Sequence, residues 1–178
     1  MNWTRYALIY GALSGAVVAG VIVAGMVFKD QLGFTHSELF GYLAMLASLT
    51  FLFVGVKRYR DIECGGTIKF LPALGMGLAI ALVATLAYAT VWEIYLAVSG
   101  TNFIEDYIAS VTAKLHAKGA SPAEMAKHQQ EFEWMRAVYR DPVQRFAMTC
   151  MEILPVSIIV AVVSAVALRF PKFLPARV

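Results

Sequence analysis

The sequence predicts an all-α polytopic membrane protein with four transmembrane helices and an extracytoplasmic helical hairpin between the third and fourth. Three observations carry that expectation. Of the 178 residues, 60% are hydrophobic, and they fall in long blocks instead of at core-like spacing. Lysine and arginine stand beside the ends of these blocks that a single threading places on one side. One sizeable polar segment, 99–141, separates the last two blocks.

The first span, 6–28, carries no charge and is long enough for a bilayer core of about 30 Å. Small residues recur in it at four-residue spacing: Gly11 with Gly15, and Ala16 with Gly20 and Ala24. Such spacing lets helix backbones approach closely, either within one molecule or across a homodimer seam. Residues 29–34 read as a short turn, with Gly33 available for a backbone twist.

The second span, 39–56, follows a T-x-x-E capping box, Thr35 to Glu38. It ends in Lys57, Arg58 and Arg60, against Asp61 and Glu63. Short loops rich in lysine and arginine stay cytoplasmic. Arg5 before the first span, and Arg169, Lys172 and Arg177 after the last, agree with cytoplasmic termini. Gly65 and Gly66 mark a turn.

The third span, 70–98, accepts Pro72 in its first turn and ends in Tyr88, Trp92 and Tyr95, an interfacial belt. In 99–141, the residues Ile104, Tyr107, Ile108, Val111 and Leu115 fall on one helical face. Gly119 allows a break, and Ser121, Pro122 and Glu124 start a second helix by capping box and N1 proline. Asp141 and Pro142 start the last helix, which crosses over 146–168 with Pro155 inside it.

A net charge of +3 with dispersed basic residues excludes nucleic acid as the expected partner; the lipid bilayer is the expected one. The two cysteines, Cys64 and Cys150, fall at different depths, so no disulfide is expected. The sequence has no G-x-S-x-G, P-loop, H-E-x-x-H or G-x-G-x-x-G motif, and no cofactor is implied.

Ionisable residues inside the spans carry the functional expectation. Glu93 lies near the outer end of the third span, and Glu38 sits at the outer entrance of the second. Glu152 lies roughly 8–10 Å along the fourth, at 1.5 Å per residue. The topology gives all three carboxylates similar depth on one side. Carboxylates in hydrocarbon usually face a bundle interior and a partner. Converging, they would share protons or bind a cation. Trp92 and Tyr88 would add an aromatic face for an amine, and His36 a further ligand or proton acceptor. Two of the carboxylates also have a plainer role, Glu38 as a helix cap and Glu93 as partner of Arg136, Arg140 or Arg145, while Glu152, the deepest, is expected to face a polar cavity or partner. Lys57, Arg58, Arg60 and Asp61 either meet lipid headgroups or only fix topology.

The stretches NWTRYALIYGALSG, HSELFGYLAMLASLTFLFVGVKRYRD, TVWEIY and MEILPVSIIVAVVSA resemble the bacterial domain-of-unknown-function family DUF4199 over nearly the whole chain. The resemblance implies a small four-span inner-membrane protein and brings no established activity. Its stretches include Glu38, Lys57, Arg58, Arg60, Asp61, Glu93 and Glu152. Three function classes stay open. One is binding or transport of a cation, proton, amine-bearing ligand or lipid, with a homo-oligomer needed for transport. Another is an accessory subunit docking a second membrane protein. The third is an enzyme using a glutamate as acid or base, for which no nucleophile or oxyanion motif is present.

Overall fold

A computed structural model describes residues 3–27, 38–100 and 102–176. Among these residues the chain is helical, with no strand. Six helices follow in order: α1 Trp3–Val27, α2 Glu38–Glu63, α3 Phe70–Ser99, α4 Phe103–Ala117, α5 Pro122–Arg140 and α6 Pro142–Leu168. Three carry stretches long and apolar enough to cross a membrane: Trp3–Val21, Phe70–Ser99 and Pro142–Leu168. The expected second span, 39–56, falls in α2, and some of its side chains lie outside the described residues. Thr35, His36 and the expected turn at 29–34 also lie outside them.

The helix boundaries follow local chemistry. Ser121 Oγ accepts the Glu124 backbone N–H at 3.3 Å, and the Glu124 carboxylate accepts the Ser121 N–H at 2.8 Å, with Pro122 opening α5. At the start of α6, Asp141 Oδ1 accepts the Val143 N–H at 2.9 Å. Gly119 joins α4 to α5 with φ +70°, a conformation that disfavours any side chain. In α4, Glu105 and Asp106 occupy the first turn and Lys114 and His116 the last, each matching the helix dipole.

The chain divides into two compact units, Met1–Val91 with Cys150–Val178, and Trp92–Thr149. In the first, Leu52, Val56, Met76, Ile80, Ala161 and Leu168 form a continuous core with Tyr6. Small residues bring its helices together. A Cβ at Gly11 would strike the Val83 side chain, and one at Gly15 would strike Ala87. The Gly11–Gly15 pair therefore packs α1 against α3 of the same molecule. Ala16 and Gly20, the other stripe, are exposed. Gly15→Val should destabilise by about 1–3 kcal/mol through overpacking, while Gly20→Val should stay within about 0.5 kcal/mol. Reversible unfolding in detergent would separate the two variants; equal effects would exclude this packing.

In the second unit Ile108, Phe132 and Val138 are buried. Tyr107, on the same apolar face of α4, is 37% exposed. It sits 100° from Ile108 on the helix, and Ile108 takes the buried position.

Candidate functional site

The Trp92–Thr149 unit holds a cleft of about 490 Å³, lined by residues of α3, α4, α5 and the start of α6. Part of the lining is apolar and aromatic. Phe103 stands edge-on to Trp92 at 4.9 Å and stacks with Tyr139 at 6.0 Å. Leu96, Ala97 and Ile104 add to that part. The same cleft is also lined by charged groups: Glu93, Glu105, Arg136, Arg140 and Arg145.

Two of these arginines are fully engaged. Arg145 Nε donates to Glu93 Oε1 at 2.8 Å, its Nη2 donates to Glu93 Oε2, and its Nη1 donates to the Tyr139 carbonyl at 2.8 Å. Arg136 grips Glu105 by Nε and Nη2 at 2.7 and 2.8 Å and reaches Glu133 at 2.9 Å. Such forked pairs fix orientation as well as charge. The Arg136 hydrogen bonds hold Glu105 below the usual carboxylate range. The same contact pushes Arg136 up. Arg140 is different: it is exposed, makes no ion pair among the described residues, and adds its charge to the field at Glu105. Counting Glu133, three arginines meet three carboxylates here, and Arg140 is the one whose guanidinium grips none of them among the described residues.

The residues expected to form one carboxylate site are distributed differently. Glu93 lies in the cleft, and Trp92 joins its aromatic stack through Phe103 and through Tyr95 at 5.1 Å. Glu152 and Tyr88 belong to the first unit, within electrostatic reach of each other. Glu152 is exposed on α6 and makes no hydrogen bond or ion pair among the described residues. Glu38 is the first residue of α2; its side chain, like all of His36, lies outside the described residues. Among the described residues no group of three His, Cys, Asp or Glu side chains is placed to hold a metal ion. His128 pairs locally with Glu131 at 2.9 Å.

The basic cluster after α2 also separates into distinct roles. Lys57 pairs with Asp61 one turn on. Arg60 is fully buried; its Nε donates to Asp61 Oδ1 at 2.7 Å, and its two Nη groups donate to the Phe173 and Leu174 carbonyls. Burial pushes the Asp61 carboxyl up, and hydrogen bonds and charge from Lys57 and Arg60 overcome this and hold it below its ordinary value. Arg58 is exposed.

Sequence reasoning named Arg136, Arg140 and Arg145 only as possible partners of Glu93. It missed Phe103, Tyr139 and Glu105 as cleft residues. The one available signal was the arginine spacing, four residues from 136 to 140 and five from 140 to 145, beside aromatic positions.

Three apolar helices of membrane length, in a chain that is helical and strand-free among its described residues, mark a helical membrane protein. The chain belongs to the family described as "Protein of unknown function (DUF4199)", whose profile matches residues 5–169. No curated protein and no solved structure matches it.

Proposed function

We propose that this membrane protein binds an amphiphile with an anionic headgroup in the Trp92–Thr149 cleft, as a carrier or receptor for that ligand. The observation that carries the reading is Arg140, which makes no ion pair among the described residues, in a cleft also lined by Phe103, Ile104 and Leu96. An amphiphile satisfies both kinds of lining: its tail lies on the rings and its charge meets the guanidinium. The expected cation, proton or amine ligand fits the cleft less well, because Arg145 already neutralises Glu93.

The reading includes a topology. The chain crosses the bacterial inner membrane four times, over 6–28, 39–56, 70–98 and 146–168, with both termini cytoplasmic. Residues 99–141 lie on the outer side as a helical hairpin. The basic residues Arg5, Lys57, Arg58, Lys69, Arg169 and Lys172 all fall on the cytoplasmic side of this threading, which supports it. The cleft then sits at the outer interface, where a lipid-derived ligand arrives from the bilayer.

Arg140→Gln should weaken binding of a fluorescent fatty-acid probe about tenfold, the value of one charge-assisted hydrogen bond. The fold should stay intact, because the side chain is exposed. An alkylamine probe of equal length should bind wild type more weakly than the fatty acid. An amine preference that depends on Glu152 would restore the carboxylate-site reading. Unchanged fatty-acid binding in Arg140→Gln, with one stoichiometric membrane partner captured through 99–141, would favour the accessory-subunit reading.

A further inference from the structure

The end of the first unit where α2 stops is unusually cationic. The start of α1, the end of α2, residues 64–69 and the C-terminal tail meet there. Tyr6 donates to Glu63 at 3.2 Å and stands edge-on to Tyr59 at 5.4 Å, which places the α1 start beside the α2 end. Arg60 binds the Phe173 and Leu174 carbonyls, which places the tail against the same helix end. A Cβ at Gly66 would lie 3.2 Å from Ala176, so the tail also passes over the loop.

The cations here fall into two sets. Lys57 and Arg60 are consumed by Asp61 and the tail carbonyls. Arg58, Lys69, Arg169 and Lys172 are exposed and make no ion pair among the described residues. Apolar side chains stand between them: Leu71 is 74% exposed, Phe170 51% and Phe173 45%. Arg169 lies 4.6 Å from the centre of the Phe170 ring. Exposed aromatic and aliphatic groups interleaved with long cationic side chains suit a membrane interface, where rings enter the acyl boundary and charges reach phosphates. Membrane-length apolar helices in the same unit make a lipid leaflet the occupant this surface favours.

We propose that this end of the first unit is an anionic-phospholipid site in which the tail, docked on Arg60, presents Arg169 and Lys172 beside Arg58 and Lys69 to the headgroup phosphates. The site lies in the other unit from the cleft and stands or falls independently of it. It also divides the basic cluster sharply: Arg58 reads lipid, and its neighbours Lys57 and Arg60 hold the protein together. Each cation near an anionic surface contributes about a fivefold gain in affinity.

The test uses the full chain in neutral detergent, with melting temperature followed against added phosphatidylglycerol, phosphatidylcholine or inorganic phosphate. Phosphatidylglycerol should raise the melting temperature by mass action, and phosphatidylcholine should not. The variant Arg58→Gln/Lys69→Gln/Arg169→Gln/Lys172→Gln should need at least tenfold more phosphatidylglycerol for the same rise. Lys57→Gln should keep the wild-type lipid midpoint, whatever its own starting stability. If the fourfold variant does not fold, Arg169→Gln/Lys172→Gln alone should shift the midpoint at least fivefold. Equal responses to the two lipids, an undiminished phosphatidylglycerol response in these variants, or an equal loss in Lys57→Gln would overturn the proposal. A full response to inorganic phosphate alone would do so too, because it would identify a free-anion site.

Discussion

Arg145→Ala is expected to destabilise the Trp92–Thr149 unit by about 3 kcal/mol, the scale for removing one partner of a mostly buried ion pair. Three acceptor positions lose their donor together: both oxygens of Glu93 and the Tyr139 carbonyl. The Arg145 and Glu93 side chains are only 18% and 23% exposed, so water replaces the guanidinium poorly. Glu93→Gln should cost less, about 1–2 kcal/mol, because an amide oxygen still accepts one of the two bonds while the charge disappears. Amide exchange followed across 93–99 and 139–149 would read the effect locally. Protection in both segments should fall in Arg145→Ala and fall less in Glu93→Gln. Unchanged protection in Arg145→Ala would mean that the ion pair is an exposed, dispensable one.

The second large effect is expected at Arg60. Its side chain is completely buried and divides its donors among Asp61, Phe173 and Leu174. Arg60→Ala should cost about 3 kcal/mol, since it leaves a partly buried carboxylate with Lys57 as its remaining partner and takes the donors from two carbonyls at once. Arg60→Lys should recover less than half of that loss, because one ammonium cannot span the fork that reaches both the carboxylate and the tail. Leu174 has φ +46°, a left-handed conformation that a leucine adopts only when its surroundings impose it. The bond from Arg60 to its carbonyl is the constraint in view. Releasing that bond should free the tail, so trypsin should cut after Arg169 and Lys172 much faster in Arg60→Ala than in wild type. Equal cleavage rates would show that the tail is held by other contacts.

Much of the helical frame was legible because it rests on local chemistry. The capping box at Ser121 and Glu124, the turn at Gly119 and the proline start at residue 142 are all written within a few consecutive residues. Three membrane-length apolar helices, α1, α3 and α6, were legible for the same reason, since hydrophobic length needs no tertiary knowledge. The Gly11–Gly15 pair was legible as a close-packing face, but its partner was not. That the face meets Val83 and Ala87 depends on a helix some seventy residues away.

The site was read less completely. Glu93 was visible as a charge in an apolar span, and its possible arginine partners were visible too. Choosing among Arg136, Arg140 and Arg145 required geometry, because Arg136 turns to Glu105, thirty-one positions away. Which arginine makes no ion pair among the described residues follows only from that choice. The role of Arg60 was hidden more deeply. A buried arginine and an exposed one look alike in a run of basic residues. The acceptors that distinguish them are main-chain carbonyls 113 and 114 positions away, with no side-chain signature.

The most direct test of the cleft is photo-crosslinking with a diazirine fatty acid bound to the purified full chain, mapped by mass spectrometry. The account predicts saturable labelling on Leu96, Phe103, Ile104 and Tyr139, competed by unlabelled fatty acid and lost in Arg140→Gln. Labelling spread along the apolar faces of α3 and α6, with no saturation and no dependence on Arg140, would contradict it.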